Sequence, residues 1–124
     1  MRWASDRLSY WTARRATDGI VVGLGGAQRH RSGTWNLNYR IATAHQGHGY
    51  ATELARAAQA AATSVDPSVA FIAWVAAHNS PSLAVAQRLG LRNYGLRVDG
   101  SDGEPRLAFA DRLLDDALFP AVST

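Results

Sequence analysis

The sequence of 124 residues contains no cysteine and no lysine. The absence of cysteine excludes disulfide bonds, thiolate metal sites and a cysteine nucleophile. All 13 basic residues are arginines, and they are scattered along the chain, whereas a nucleic-acid-binding surface usually clusters them. A nucleic-acid partner is therefore not expected. Arginine makes forked contacts with phosphate, so a small anionic ligand fits this composition.

Long hydrophobic runs are also missing. No apolar run approaches the roughly 18 residues needed to span a bilayer, and residues 1–6 lack the apolar core of a signal peptide. We therefore expect a cytoplasmic protein without a membrane partner. A hydrophobic content of 47% with 19% charged residues is typical of a folded globular protein. A chain of this length suffices for one domain and is too short for two, so residues 1–124 are expected to form a single domain.

The first part of the chain is predicted to form three strands. Bulky and branched side chains favour a strand over residues 9–15, and Thr17-Asp18-Gly19 is typical of a tight turn. A second strand is predicted over residues 20–26, with a bulge or a close backbone approach at its glycines. After a polar loop at 29–34, residues 35–41 alternate apolar and polar side chains, as a half-buried strand does.

The second part of the chain changes to helical spacing. The predicted elements are a helix over 49–64, a strand over 69–75, a helix over 80–89, strands over 91–98 and 106–110, and a short helix over 111–118. Pro81 suits the first turn of the second helix, and Gly90 suits its end. Strand–helix–strand passages require a crossover, whereas the hairpins require antiparallel pairing. The fold class is therefore α+β, with a mixed, mostly antiparallel sheet and helices on both faces.

A glycine-rich turn separates the third strand from the first helix, with the sequence Gln46-Gly47-His48-Gly49-Tyr50-Ala51. The first turn of a helix has unpaired N–H groups and the positive end of the helix dipole. Glycines there let the backbone approach an anion, which is how proteins hold a pyrophosphate. A dinucleotide site is less well supported, because the full G-x-G-x-x-G pattern and the following acidic residue are absent. A plain strand-to-helix turn remains an alternative.

This turn carries a resemblance to a known family. Gln46-x-x-Gly49-x-Ala51 resembles the Q/R-x-x-G-x-G/A signature of the GNAT N-acetyltransferase superfamily. The run from Tyr39 to Leu54 is similar to the RimJ/RimL-like branch of that superfamily. A second motif is similar to the same branch: Ala73-Trp74-Val75 followed by Asn79-x-x-Ser82 and Arg88-Leu89-Gly90-Leu91. The two motifs occur in the family order, and the resemblance covers roughly residues 9–111.

The resemblance implies a site for acetyl-CoA or another acyl-CoA. The pyrophosphate would be held by the backbone N–H groups and the Gln46 side chain of the turn Gln46, Gly47, His48, Gly49, Tyr50 and Ala51. The strand ending at Ile41 and Ala42 would pair with the pantetheine amides, and Trp74 would lie near the wedge between two splayed strands. Asn79 would hydrogen-bond the pantetheine. Ser82 would protonate the leaving thiolate, after direct attack of an amine on the thioester and without a covalent enzyme intermediate.

Several of these residues have simpler interpretations. Asn79 with Ser80 also fits a helix cap, Ser82 fits a polar first-turn residue, and Trp74 fits the core. Many family members place a tyrosine one turn after Ser82 as the acid, and this sequence has Ala86 there. Glu53 fits a solvated helix residue, and the candidate general bases are the four histidines His30, His45, His48 and His78. The spacing of these histidines does not predict a metal site.

The sequence departs from the family at its beginning. The family's usual first strand and helices, which wall the acceptor site, have no counterpart here. Three explanations stay open: a start inside a longer gene, a truncated chain that forms a homodimer, or a degenerate protein without catalysis. The expected activity is N-acetylation of a primary amine, either a protein N-terminus or a small amine. The alternative is a non-catalytic acyl-CoA-binding or assembly module.

Overall fold

The computed structural model of the chain describes residues 11–29, 33–98, 104–115 and 119. In chain order its elements are β1 (Trp11–Arg14), β2 (Val21–Arg29), β3 (Trp35–Ile41), a 3₁₀ turn (Thr43–His45), α1 (Tyr50–Val65), β4 (Phe71–Val75), α2 (Ser80–Arg88), β5 (Arg92–Arg97) and β6 (Arg106–Ala110). This is the predicted order of strands and helices. The 3₁₀ turn was not predicted from the sequence.

A tight turn joins β1 to β2 where the sequence predicted one. The Arg15 amide donates to the Ile20 carbonyl at 2.8 Å, and Gly19 adopts a φ of 73°. The Arg15 guanidinium pairs with Asp18 across the turn. Hydrogen bonding to Asp18, and then to Tyr50, raises the pKa of Arg15 above its ordinary value, and the same ion pair lowers the pKa of Asp18. The turn is therefore closed by backbone and side-chain bonds together.

The strands β2 and β3 form the longest hairpin of the described sheet. Their antiparallel register runs from the pair Gly23–Ile41 to the pair Arg29–Trp35. Strand β2 continues beyond the predicted end at residue 26, because its last residues find partners on β3. The predicted close approach is present at Gly23 and Gly25, two of the three glycines of β2. A Cβ at Gly23 would lie 2.4 Å from the Arg40 carbonyl oxygen, and one at Gly25 would lie 2.7 Å from the Asn38 carbonyl oxygen.

The six strands form one sheet in the order β1-β2-β3-β4-β6-β5. Strands β3 and β4 are parallel and are connected by the crossover through α1, whereas each other neighbouring pair in the described sheet is antiparallel. Helix α2 carries the chain from β4 to the edge strand β5, and β6 returns between them. The predicted α+β class with a mixed, mostly antiparallel sheet is confirmed.

One face of the sheet packs against both described helices. Helix α1 presents a buried stripe of one leucine and three alanines, and α2 adds two more buried residues; the members are Leu54, Ala55, Ala58, Ala62, Val85 and Ala86. They pack with Trp35, Leu37 and Ile41 of β3 in one cluster. Three alanines in the stripe let α1 lie close to the sheet, which fixes the helix N-terminus near the end of β3.

The opposite face is covered by the chain that follows β6. Leu114 and Phe119 pack with Ile72 of β4, and the rings of Trp74 and Phe119 lie 5.5 Å apart. The Phe119 amide donates to the Asp115 carbonyl at 3.0 Å. Residues 111–115 are not helical, and the rest of the predicted 111–118 helix lies outside the described residues. The expectation of helices on both faces is therefore tested on one face only.

Some predicted features also lie outside the described residues. They are the first two residues of the first predicted strand, the candidate base His30, and most of the β5–β6 turn. Within the described part of the chain, no helix has both the length and the hydrophobicity to cross a bilayer.

Candidate functional site

The sheet opens between β3 and β4. These parallel strands pair only at Trp35–Phe71 and Asn36–Ile72, and then diverge. A cavity of about 120 Å³ fills the opening, called here the wedge; its lining residues are Leu37, Asn38, Tyr39, Ala73, Trp74, Val75, Ser82, Val85 and Ala86. Backbone groups along two diverging strand edges need other partners, so the wedge offers amide donors and acceptors to an extended ligand.

The glycine-rich turn lies at the end of this opening. Gly47 and Gly49 adopt φ angles of 85° and 80°, a left-handed conformation that glycine tolerates well. Gly49 is the N-cap of α1 and contributes no side-chain cap. The first helical bond runs from the Glu53 amide to the Gly49 carbonyl at 3.1 Å. The amides of the three residues before Glu53 thus precede the helical bonding pattern and suit an anion.

A second and larger cavity of about 820 Å³ extends the wedge over the turn and between the two helices. We call it the groove. Its volume lies within the range of about 300–1,000 Å³ that is typical of ligand sites. Eight of the ten predicted cofactor-binding residues line it, namely Ile41, Gln46, Gly47, Gly49, Tyr50, Ala51, Asn79 and Ser82. Ala42 and His48 do not line it.

The Gln46 side chain braces the turn. Its Nε2 donates to the Ile41 carbonyl oxygen at 3.2 Å, and the Ala42 amide donates to the Val22 carbonyl oxygen at 2.8 Å. The Ile41 carbonyl and the Ala42 amide, both from the segment predicted to pair with a ligand, therefore already have partners. The bond from Gln46 to Ile41 fixes the turn relative to the end of β3. This bond was not predicted from the sequence.

The N-terminus of α2 presents Asn79 and Ser82 to the same groove. The Asn79 Oδ1 accepts from the Ser82 amide at 3.2 Å, so the helix-cap interpretation of Asn79 is correct. The Ser82 Oγ accepts from the Tyr39 hydroxyl at 3.1 Å. Sequence reasoning missed Tyr39 as a site residue. The alternation of β3 places Tyr39 on the same face as Leu37 and Ile41, which was the available signal.

The exposed rim of the groove is predominantly basic. Arg40 and Arg88 line it, and Arg56 lies on the adjoining face of α1. The Arg56 Nη2 donates to the Arg88 carbonyl at 2.9 Å and so joins the end of α2 to α1. Glu53 is exposed near Arg56 and does not line the groove. A basic rim attracts an anionic ligand.

The candidate base histidines are dispersed. His45 lines the groove, whereas His48 and His78 do not. The His48 ring lies 5.6 Å from the ring of Tyr50. In the described ranges, no group of three or more histidine, aspartate or glutamate side chains is arranged to hold a metal ion.

A family model described as "Acetyltransferase (GNAT) domain" matches residues 1–92. The chain belongs to the GNAT acetyltransferase family. Members of this family use acetyl-CoA as acyl donor. A search of curated proteins gave no match.

Solved structures of similar fold agree with the assignment to the GNAT family. A protein of Bordetella pertussis, described as a GnaT-family acetyltransferase, is 29% identical with a TM-score of 0.68; the match covers 83% of this chain and 65% of that protein. The ribosomal-protein-S5-alanine acetyltransferase of Vibrio fischeri is 15% identical with a TM-score of 0.68, over 86% of this chain and 62% of that protein. A Bacillus subtilis acetyltransferase in complex with CoA is 17% identical with a TM-score of 0.64, over 81% and 74%.

This GNAT chain covers only part of the length of the proteins that it matches. It spans less than two thirds of the length of the Bordetella and Vibrio proteins. The described residues supply the wedge, the glycine-rich turn and the start of α2.

Proposed function

We propose that this chain binds acetyl-CoA along the wedge and the groove and transfers its acetyl group to a primary amine. The observation that carries the proposal is the short pairing of β3 with β4, which ends at Asn36 and Ile72 and opens toward the glycine-rich turn. An extended molecule with an anionic end fits this arrangement. Its amides would meet strand edges, and its phosphates would meet the start of α1.

The site residues fit the parts of acetyl-CoA. The turn from Gln46 to Ala51 would hold the pyrophosphate through its backbone amides, with both left-handed glycines leaving open space above the backbone. The β3 edge near Ile41 and Ala42 would pair with the pantetheine arm through backbone groups other than the Ile41 carbonyl and the Ala42 amide, which already have partners. Asn79 retains its side-chain NH₂ for a ligand while its Oδ1 caps α2.

The chemistry requires little of the protein beyond orientation and one proton. Acetyl-CoA supplies the acetyl group as a reactive thioester. The turn and the strand edges would fix that thioester at the wedge, where the Ser82 hydroxyl lies. Ser82 would donate a proton to the departing thiolate, while the amine attacks directly and no covalent enzyme intermediate forms. Holding both reactants in the wedge supplies the proximity that such an attack needs.

The acceptor that we propose is a protein N-terminus. The motifs shared with the RimJ/RimL-like branch support it, and one fold neighbour is described as a ribosomal-protein-S5-alanine acetyltransferase. A small amine is the alternative acceptor. A panel of N-terminal Ser and Ala peptides beside small amines separates the two, with CoA thiol release as the readout. Turnover confined to small amines would refute the N-terminal assignment.

The first test is calorimetric titration with acetyl-CoA. We expect micromolar binding that Gly49→Glu abolishes, because the new carboxylate would occupy the place of the phosphates. Gly90→Glu is the matched control, since Gly90 has a similar φ of 78°, also has open space around it, and does not line the groove. Absence of binding by the native chain, or equal loss in both variants, would contradict the proposed site.

The second test concerns Ser82 once an accepted amine is known. Ser82→Ala should lower turnover by about 10²- to 10⁴-fold, the range of acid–base groups, with little change in acetyl-CoA affinity. A reduction of less than about threefold would exclude the acid role.

A non-catalytic acyl-CoA-binding module is the second candidate function. It is favoured by one observation: in the part of the chain that the structure describes, no histidine or carboxylate lines the wedge, and His45 is the only histidine that lines the groove. A general base for the amine is thus not evident there. Tight acetyl-CoA binding without thiol release across the whole amine panel would favour this candidate over the transferase.

We further propose a cytoplasmic homodimer. Strand β1 is an edge of the described sheet, and edge strands tend to pair with other chains. Ile20, Val21 and Leu24 beside it are 45–50% exposed and add apolar surface. Light scattering at micromolar concentration should give twice the mass of one chain, and a monomer would refute the dimer.

Recovery of the protein in the membrane fraction of lysed cells would refute the proposed cytoplasmic location.

A further inference from the structure

A hydrogen bond between two hydroxyl groups lies where the wedge meets the groove. The Tyr39 hydroxyl donates to the Ser82 Oγ at 3.1 Å, although the two residues are 43 positions apart in the chain. Both side chains are half-buried, and both residues line the wedge and the groove. The pair therefore spans the opening, with Tyr39 on the β3 side and Ser82 on the α2 side.

The direction of this bond determines what Ser82 can do. A serine hydroxyl has one hydrogen to donate and two lone pairs to accept with. With Tyr39 as the donor, one lone pair of Ser82 is occupied and the serine hydrogen stays available for another acceptor. The Ser82 amide is fixed on Asn79, so the side chain starts from a fixed backbone. Ser82 is thus arranged to donate into the cavity.

Among the hydroxyl groups of the described residues, the wedge leaves this role to the pair. Ala86, one helical turn after Ser82, is 1% exposed and carries no donor. Of the residues that line the wedge in the described chain, Tyr39 and Ser82 are the ones that carry a hydroxyl group. Both hydroxyl groups are engaged with each other, and one hydrogen remains for a ligand.

We propose that Tyr39 is a positioning residue that orients the Ser82 hydroxyl and resupplies its proton during acetyl transfer. This inference rests on the proposed function. The amine lone pair forms the C–N bond with the thioester carbon, and the C–S bond breaks with its electron pair on sulfur. Ser82 gives its proton to that sulfur and takes one from Tyr39. The nitrogen loses a proton to water and Tyr39 regains one from water, so the protein ends unchanged.

The test measures the thiol of bound CoA, which needs no knowledge of the amine. A hydroxyl that donates to the thiolate stabilises it and lowers the pKa of the CoA thiol. The pKa is read from thiolate absorbance in the ultraviolet as the complex is titrated, with desulfo-CoA as the blank. Tyr39→Phe should raise the pKa of bound CoA by about 0.5 to 1, the effect of losing one hydrogen bond. Ser82→Ala should raise it at least as much.

The double variant distinguishes action through Ser82 from an independent effect. Because Tyr39 acts through Ser82, Tyr39→Phe in the Ser82→Ala background should add nothing. Tyr94→Phe is the matched control and should leave the thiol pKa unchanged, since Tyr94 packs on the opposite face of the sheet with Ile72. With an accepted amine, Tyr39→Phe should lower kcat by about 3- to 10-fold and leave the acetyl-CoA affinity within about twofold.

The possible results separate this inference from the proposed function. If CoA binds and Tyr39→Phe changes the thiol pKa by less than about 0.2 while Ser82→Ala raises it, the role of Tyr39 is wrong and the site stands. Failure of the native chain to bind CoA overturns both. If Tyr39→Phe does not fold, 3-fluorotyrosine at position 39 replaces it. This more acidic phenol should lower the thiol pKa below that of the native complex, and no change would overturn the proposal.

Discussion

Replacing Gly25 with alanine should disturb both stability and the site. Gly25 lies in the middle of β2 and pairs with Trp11 on one side and Tyr39 on the other. A Cβ there would lie 2.7 Å from the Asn38 carbonyl oxygen, 2.7 Å from the Tyr39 Cβ and 2.8 Å from the Tyr39 Cα. Two of these three contacts are with the backbone, which cannot move aside as a flexible side chain would.

The magnitude follows from these distances. Ordinary contacts begin at 3.4 Å, so β3 would have to move away from β2 by about 0.7 Å. Overpacking of this kind in a well-packed structure destabilises by about 1–3 kcal/mol. Each kcal/mol lowers the melting temperature of a domain of this size by about 2–8 °C. The same movement carries Tyr39 away from its present place, and its 3.1 Å bond to Ser82 should lengthen.

Urea and thermal unfolding of the native chain and of Gly25→Ala measure the loss of stability. Titration of both chains with acetyl-CoA measures the disturbance of the site. Gly90→Ala is the control: it places a Cβ in a left-handed conformation with nothing within 4 Å. That strain should destabilise by about 1–2 kcal/mol and leave the acetyl-CoA affinity intact. If Gly25→Ala stayed within about 0.5 kcal/mol of the native chain, the argument from close packing of β2 and β3 would be refuted.

Two further changes test other parts of the fold. Asn79→Ala removes the cap of α2 and should destabilise the fold by about 0.5–2 kcal/mol in urea unfolding. Asn79→Asp keeps a capping oxygen and should retain most of the stability. Equal loss of stability in both variants would contradict the cap. Hydrogen bonds from the Ser68 hydroxyl and then from the Ser68 amide lower the pKa of Asp66 below 3.8. The ionised carboxylate therefore stabilises the fold above pH 3.8. This contribution is lost as the pH falls through the pKa that Asp66 has in the folded chain. Asp66→Asn should therefore be less stable than the native chain near neutral pH and should lose less stability on acidification; an unchanged acid profile would contradict this role.

The sequence predicted the order of the elements because their signals are local. Alternation over 35–41, the alanine-rich helical spacing after Gly49, and the Asn79 and Gly90 boundaries each act within one element. The end of β2 was set too early. Residues 28 and 29 are polar and have little strand signal of their own, and they are held in the strand by their partners on β3.

The candidate site was predictable where it depends on backbone conformation. Glycines at positions 47 and 49, just before a helix, indicate left-handed turns and free amides, and the structure has both. The bond from Gln46 to Ile41 and the bond from Tyr39 to Ser82 were not predictable in the same way. The second joins residues 43 positions apart, and it exists only because the crossover through α1 brings α2 beside β3.

The early separation of β3 and β4 connects these findings. Parallel strands joined by a helix normally pair along their length, yet here pairing stops after two residue pairs. Gly23 and Gly25 of β2 let that strand lie close to β3 on its other side, so β3 remains with β2 while β4 follows β6 through four pairs. The opening is thus a consequence of how the strands pair in the sheet. A site formed in this way is preorganised, and its donors are spared much of the ordering cost that binding otherwise imposes.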